Sequence, residues 1–227
     1  MIDVISVDNM RESDAWTIAN KIPSLDLMGY AAQGIYDAVK DWPNLTVIVA
    51  GSGNNGGDGF ALAEILRANA KDVAILTVSD HWSEDASYYK NHCEYLNIPI
   101  IKFEDRGTVL EEAATVVDCL LGTGFRGVPE GIYAEAIDAI NESGQTGARV
   151  VSADINSGMN GDTGMYSKCV MSDHTVTIGY LKKGLITMPA ATAIAKITVA
   201  QIGIDLVRTE AKIDEDAYGI DVITVKP

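Results

Sequence analysis

Basic residues are scarce in this chain: 17 lysines and arginines stand against 32 aspartates and glutamates, a formal net charge of −15 over 227 residues. Nucleic acids and anionic membranes are gripped by Lys and Arg that neutralise a dense negative surface, so neither is an expected partner. Cysteine is scarcer still. Cys93, Cys119 and Cys169 are too few and too widely spaced for a disulfide framework or a zinc site, and each reads as a small core hydrophobe. No apolar run reaches the roughly 18 to 20 residues that a membrane helix needs, and the opening Met1-Ile-Asp-Val-Ile-Ser has neither the basic start nor the small-residue cleavage site of a secretory signal. The expectation is a soluble, cytoplasmic protein. Neither an internal repeat nor a low-complexity linker interrupts the sequence. Residues 1–227 therefore read as one domain, and a hydrophobic content of 47% suits a buried sheet.

What the chain does have is alternation. Apolar, strand-like runs at residues 45–50, 73–78, 98–103, 115–121, 149–154, 174–179 and 196–202 are separated by helical patterns such as 60–70, 83–96 and 133–141. This rhythm predicts βαβ units and a mostly parallel sheet with helices on both faces, an α/β fold. Residues 1–44 stand ahead of it, with two helical stretches over 8–40 split at Ile22-Pro23-Ser24, and residues 45–227 form the core. Met10, Trp16, Ile18, Leu25, Leu27, Met28 and Tyr30 give the helical region more large apolar groups than one packing stripe requires. Two readings stand, a cap on the sheet or a homodimer contact.

In open α/β sheets ligands bind beyond the carboxyl ends of the strands, and three of those ends carry unusual loops. The first is Gly51-Ser-Gly53-Asn54-Asn55-Gly56-Gly57-Asp58-Gly59, placed between a strand and a helix. Residues without a Cβ let backbone N–H groups approach a phosphate there, at a helix N-terminus. The amides and the carboxylate add something that a plain phosphate turn does not need, a partner that is cationic or rich in hydroxyls. The second loop, Gly122-Thr123-Gly124-Phe125-Arg126-Gly127-Val128, offers backbone donors, a hydroxyl and a guanidinium that suits either bidentate phosphate contact or a surface salt bridge. The third runs from Asp154 through Ile155-Asn156-Ser157-Gly158 to Gly164.

Together these residues closely resemble the NAD(P)H-hydrate epimerase family, the YjeF N-terminal domain. The resemblance rests on Asn54-Asn55-Gly56-Gly57-Asp58-Gly59, on Val117-Asp118-Cys-Leu-Leu-Gly122-Thr123-Gly124, on Asp154-Ile155-Asn156-Ser157-Gly158 with Asn160-Gly161-Asp162-Thr163-Gly164, on Gly179-Tyr-Leu-Lys182-Lys183-Gly184-Leu185, and on the opening Met10-Arg11 through Ile22-Pro23-Ser24-Leu25. It covers nearly the whole chain in the right order. The resemblance implies a Rossmann-like three-layer αβα sandwich, frequent dimers, and an isomerase that interconverts the R and S epimers of hydrated NADH and NADPH (NADHX and NADPHX) at C6 of the nicotinamide ring. It also implies a functional partner, an ATP- or ADP-dependent dehydratase that takes the S epimer. Carried over by position, it places a monovalent cation, K⁺, on Asn55, Asp118 and Ser157. Substrate falls to Asn54, Asn55, Gly56, Gly57 and Asp58, to Gly122, Thr123, Gly124, Phe125, Arg126, Gly127 and Val128, and to Tyr133 and Asp154. Hard oxygen ligands with one carboxylate suit an alkali ion. Asp154 is the candidate acid–base group and Lys182 its helper; Tyr133 equally fits a helix residue packed on the sheet.

The chain also departs from the family pattern. Asn156 stands where the family has proline, which is expected to loosen that turn, and Met28-Gly29-Tyr30-Ala31 stands where many members read Met-Glu-Asn-Ala. Three rival classes are weighed. A nicotinamide dehydrogenase would use Gly51-x-Gly53-x-x-Gly56 with an acid near Asp80, but Asp58 would repel a pyrophosphate unless a cation intervened. A non-catalytic nucleotide- or protein-binding module of the same fold is the alternative function. The dehydratase itself would need far more chain after Ile204.

Overall fold

The computed structural model describes residues 1–43 and 45–225; the boundary expected at residue 44 and the chain end at Lys226 and Pro227 lie outside the described residues. In chain order the elements are β1 (Ile2–Ile5), α1 (Val7–Asn20), α2 (Ser24–Ala38), β2 (Thr46–Ala50), α3 (Asn54–Ala68), β3 (Val73–Thr77), α4 (Glu84–Tyr95), β4 (Ile100–Lys102), β5 (Thr115–Cys119), α5 (Gly131–Gln145), β6 (Arg149–Ala153), β7 (His174–Ile178), β8 (Leu181–Lys182), α6 (Met188–Ala191), β9 (Ile197–Gln201), β10 (Ala211–Ile213), α7 (Glu215–Tyr218) and β11 (Asp221–Thr224).

Eight of the strands form one all-parallel sheet in the order β11-β9-β7-β6-β5-β2-β3-β4. The chain leaves β2 toward β3 and β4 on one side and returns through β5 to the other. The crevice above β2 and β5 is therefore the point where strand order reverses, and there ligands of doubly wound sheets bind. Strands of such a sheet are buried on both faces and read as continuous apolar runs. Residues of β2 show the division. Ile48 and Ala50 pack with Ala31, Ile35, Phe60 and Leu62 of α2 and α3, whereas Val47 and Val49 pack with Ala136, Ile137 and Ile140 of α5 on the opposite face. Each valine, leucine, isoleucine or phenylalanine among them contributes roughly 1.5 to 3 kcal/mol when fully buried. A small sheet, β10-β1-β8, covers the second face near β9, with Ile2, Val4, Leu181 and Val199 in a third cluster. The three-layer α/β architecture anticipated from the alternation is the observed one.

Three local features differ from the sequence expectation. Helix α3 begins at Asn54, so Gly56, Gly57 and Gly59 lie inside the helix and not in a loop ahead of residue 60. Glycine is a poor helix former, yet here it lets the helix touch the strand loops: a Cβ on Gly56 would stand 2.0 Å from the Gly51 carbonyl oxygen, and one on Gly51 1.9 Å from that of Leu120. Second, β1 precedes the helices, its four residues too short to carry a visible period, and it pairs antiparallel with β10 and parallel with β8. The polar tail thus re-enters the structure through β10, and again through β11, which pairs with β9 in the main sheet.

Third, the inward face of α1 is largely polar. Asn9, Ser13 and Thr17 are fully buried. They tie down the segment ahead of β10: Asn9 Nδ2 donates to the Arg208 carbonyl at 2.7 Å, Ser13 Oγ accepts from Val207 N at 3.2 Å, and Thr17 Oγ1 accepts from Asp205 N at 2.9 Å. Helix α2 buries an apolar stripe, Leu27, Met28, Ala31, Ile35 and Ala38. Of the large apolar groups in this region, Met10, Leu27 and Met28 are buried, while Trp16 and Ile18 remain 42% and 38% exposed. All three cysteines are free and buried. No helix among the described residues is long and apolar enough to cross a membrane.

Candidate functional site

A cavity of about 490 Å³ opens at the switch point. Its walls come from α1 (Arg11, Asp14), the start of α3 (Asn54, Asn55, Asp58), the loop after β5 (Gly122 to Phe125), the turn after β6 (Asp154) and Lys182 of β8. Helix α3 opens this site with Gly53 at its N-cap and no side-chain cap, and the amides of Asn54 and Asn55 have no backbone acceptor among the described residues. Free amides at a helix N-terminus favour an anionic guest.

Sheet register assembles the layer beneath the cavity. Asp118 of β5 lies opposite Ser152 of β6, which sets the Ser152 hydroxyl 3.0 Å from Asp118 Oδ2. The Asp118 carboxylate is fully buried and receives three further donors: Ser157 N at 2.9 Å on Oδ2, with Ser157 Oγ at 2.5 Å and Leu120 N at 3.2 Å on Oδ1. Burial pushes its pKa up, and the hydrogen bonds from Ser157, Leu120 and Ser152 pull against that rise. On the cavity wall, beside Gly122, the Asn55 side chain is orphaned. Both of its polar atoms are buried without a hydrogen-bond partner among the described residues, an arrangement that costs about 1 to 3 kcal/mol per unsatisfied group unless something fills it. A hard cation suits this donor set: Asn55 offers a free amide oxygen, and Ser157 Oγ accepts only from Leu121 N, at 2.9 Å, while donating to Asp118. The roughly four lone-pair positions of the Asp118 carboxylate are all taken by donors, so it supplies charge and orients Ser157. No group of three or more His, Cys, Asp or Glu side chains fit to hold a metal occurs among the described residues.

Asp154 is held in a strained backbone. Its φ is +66°, and Ile155 N–H bonds back to the Ala153 carbonyl at 2.8 Å around it, the rarer hand of γ-turn, where a non-glycine residue costs on the order of 1 to 3 kcal/mol. The side chain is anchored through one oxygen: Oδ1 accepts from Lys182 Nζ at 2.5 Å and from Ile178 N at 3.2 Å. Its Oδ2 faces Gly122, 3.7 Å from where a Cβ there would stand. Lys182 is 1% exposed, and its remaining protons go to Ile178 O at 2.6 Å and Thr177 Oγ1 at 3.0 Å.

Two more carboxyl groups face this ion pair. Asp58 on α3 keeps part of its surface open to the cavity while packed around by protein; desolvation, reinforced by Asp154 and Asp14 and opposed by Lys182, raises its pKa well above the usual carboxylate range. Asp14 on α1 is raised for the same reasons, desolvation first and then the charge of Asp154. Sequence reasoning gave no site role to Asp14 or to Arg11, which also lines the cavity. Their spacing of three residues on α1 puts both on one side of the helix, but only the fold shows which side that is.

The other sequence-derived candidates divide. Asn54, Asn55, Asp58, Gly122, Thr123, Gly124, Phe125, Asp154 and Lys182 meet at the cavity, and Asp118 and Ser157 lie buried beneath it. Gly56 and Gly57 are buried in the helix, Gly57 against Met28. Arg126, Gly127 and Val128 lie outside the lining; Arg126 Nη2 contacts Asp8 Oδ1 at 3.3 Å, the surface salt bridge that the sequence left open. Tyr133 is on α5, where its hydroxyl meets Ser52 Oγ at 3.1 Å at the rim of the first loop. The turn at Asn156 is not loosened. Its carboxamide is fully buried, donating to the Val170 carbonyl at 2.8 Å and Ser172 Oγ at 2.9 Å and accepting from Thr175 Oγ1 at 2.6 Å. Gly29 makes room for Tyr89, whose hydroxyl would lie 2.7 Å from a Cβ there.

Fold and site thus define a Rossmann-like αβα protein with a carboxyl-lined cavity, an anion-receptive helix start and a buried oxygen cluster at the switch point. The family described as YjeF-related protein N-terminus matches residues 24–184, and the chain belongs to it. It is similar to NAD(P)H-hydrate epimerase of Limosilactobacillus fermentum, 37% identical over 203 residues, 86% of this chain and 95% of that protein. The same-named protein of Lentilactobacillus buchneri is 38% identical over 213 residues, 90% of this chain and 96% of that one. A bifunctional NAD(P)H-hydrate repair enzyme of Coxiella burnetii is 32% identical over 201 residues, 86% of this chain and 40% of that protein. The crystal structure of yeast ynu0 shares the fold, with a TM-score of 0.72 at 20% identity over 85% of this chain and 84% of that chain.

Proposed function

We propose that this protein is an isomerase that interconverts the R and S forms of NADHX and NADPHX at C6 of the nicotinamide ring. The observation that carries this reading is Asp154, strained, ion-paired to buried Lys182 and facing a cavity whose neighbouring carboxyl, Asp58, is biased toward its protonated form. C6 bears both a hydroxyl and the ring nitrogen. A proton from Asp58 lets the C6–O bond break as water while the nitrogen lone pair forms the iminium. Water then adds to the other face and gives its proton to Asp154, exchange with solvent water moves a proton from Asp154 back to Asp58, and net oxidation state is unchanged. Asp58, whose burial favours its protonated form, suits the acid half of such a step, and Asp154, held through Oδ1 with Oδ2 toward Gly122, is placed for the base half. Lys182 fixes the position of Asp154 Oδ1 and leaves Oδ2 toward the cavity.

Asn55, Asp118 and Ser157 are assigned to K⁺, which when bound supplies positive charge that screens the site carboxylates and anchors the substrate's phosphates. The substrate contacts assigned by resemblance at Asn54 to Asp58, Gly122 to Val128, Tyr133 and Asp154 belong to this proposal, as does the chain acting as one unit. So do a cytoplasmic location, a homodimer through the N-terminal helices, where α1 exposes Trp16, and an ATP- or ADP-dependent dehydratase as the consumer of the S epimer. The test is a coupled assay in which an S-specific dehydratase is fed mixed epimers. With the protein present the R epimer disappears as well; R consumption unchanged by the protein rejects the reading.

A further inference from the structure

Among the described residues lining the cavity the charged groups are Asp14, Asp58, Asp85, Asp154, Lys182 and Arg11. Four are acidic, so a dinucleotide with its phosphates enters an unfavourable field. Lys182 cannot answer it, because all three of its N–H donors are spent on Asp154 Oδ1, Thr177 Oγ1 and Ile178 O in a buried pocket. That leaves Arg11. Its side chain is 46% exposed. It makes one hydrogen bond, from Nη2 to the Thr123 carbonyl of the second glycine-rich loop at 3.3 Å, while Nη1 stands 3.9 Å from Asp8 Oδ1. That same oxygen takes Arg126 Nη2 at 3.3 Å. One carboxylate oxygen is shared by two guanidinium groups and bidentate to neither. A guanidinium has five N–H donors in a planar fork that matches phosphate oxygens, so the fork of Arg11 is largely unused.

We propose that Arg11 is a further substrate-binding residue, whose guanidinium leaves Asp8 to take phosphate oxygens of the bound dinucleotide at the junction of α1 and the loop after β5. The inference rests on the proposed dinucleotide substrate. Asp8 is then a competitor of the ligand and a keeper of the empty site, and Arg126, freed from the same carboxylate, adds positive charge from the loop. In a protein of net charge −15 this pair gives the mouth of the cavity local attraction for an anion.

The experiment compares the parent with Arg11→Ala, Arg11→Lys and Asp8→Asn. Affinity for ADP-ribose, which carries the diphosphate without the reactive ring, is measured by calorimetry at several salt concentrations, and KM and kcat are measured for NADPHX. Loss of charge-assisted hydrogen bonds is expected to weaken ADP-ribose binding and raise KM by about 10- to 100-fold in Arg11→Ala, with kcat little changed and a shallower salt dependence. Arg11→Lys recovers part of the loss, and Asp8→Asn binds tighter than the parent, a gain that a merely structural role for the cluster does not produce. Arg11→Ala with ADP-ribose affinity and KM within about two-fold of the parent overturns the inference and leaves the epimerase reading standing. An Arg11-dependent affinity for ADP-ribose in a parent that does not epimerise NADPHX supports the inference and rejects the reaction. A parent that binds neither compound overturns both.

Discussion

Lys182 Nζ and Asp154 Oδ1 meet at 2.5 Å, joining the end of β8 to the turn after β6 through an ammonium that is 1% exposed and a carboxylate that still reaches the cavity. The lysine is structural to the extent that it is buried, and the aspartate is chemical to the extent that it is not. Removing one partner of a buried pair leaves the other uncompensated, at about 3 to 5 kcal/mol. Lys182→Met is therefore expected to lower the unfolding free energy by roughly 3 kcal/mol in denaturant titrations. Asp154→Asn keeps the shape and a hydrogen-bond acceptor, and is expected to lose about 10²- to 10⁴-fold in kcat, the usual contribution of an acid–base group. Equal stability of Lys182→Met and the parent contradicts the first expectation.

Asp58 sets a pH dependence whose sign follows from its raised pKa. In the unfolded chain it ionises near the ordinary carboxylate value, whereas in the folded protein it holds its proton to higher pH. Between those two values the folded state binds more protons, so its contribution to stability falls as pH rises. Asp58→Asn removes that loss. The variant is expected to melt higher than the parent at neutral and alkaline pH and to converge with it below about pH 4. The same variant cannot donate a proton, so kcat falls by about 10²-fold or more while stability rises. A melting temperature below the parent's at pH 8 contradicts this.

The buried oxygen cluster is tested by its ion. Ser157→Ala deletes a hydroxyl that donates to Asp118 and accepts from Leu121 N, and Asp118→Asn removes the only formal charge in the cluster. Thermal melting of the parent is expected to rise with K⁺ as ligand linkage requires. That rise is lost in Asp118→Asn and reduced in Ser157→Ala, and Asn55→Ala, which deletes the orphaned carboxamide, loses it too. If Asp118→Asn responds to K⁺ and binds NADPHX as tightly as the parent, the assignment is wrong.

The exposed face of α1 concerns assembly. Trp16 stands 42% exposed on that face, whereas Ile18, 38% exposed, lies on the side of Arg11 and Asp14 and lines the cavity. Light scattering at micromolar concentration is expected to give twice the single-chain mass of 24.2 kDa, and Trp16→Glu to return it to one copy. A single-chain mass for the parent rejects the dimer.

Much of the scaffold was legible because burial on both faces leaves apolar runs in the strands, and because β2, β5 and β6 end in loops whose glycines and acids are conspicuous. The start of α3 was not legible. Asn54 to Gly59 reads as a loop by propensity, yet the helix starts there and Gly56 lets it close on the Gly51 carbonyl, where a Cβ would stand 2.0 Å away. Nor was the docking of α1, whose buried side is Asn9, Ser13 and Thr17 and is recognised only once the 205–208 segment is laid beside it. Arg11 and Asp14 became site residues through that docking. Asn156 was read as a loosened proline position, since nothing local reveals that Val170, Ser172 and Thr175 would tie its carboxamide.

The most direct measurement starts from one purified epimer of NADPHX in K⁺ buffer and follows the approach to the R and S mixture by chromatography. The parent protein is expected to accelerate interconversion in both directions to the same equilibrium, with no change in oxidation state and no dehydrated product, and Asp154→Asn to remain near the buffer rate. A parent that leaves the buffer rate unchanged, or an Asp154→Asn variant as fast as the parent, contradicts the assignment of this cavity to epimerisation at C6.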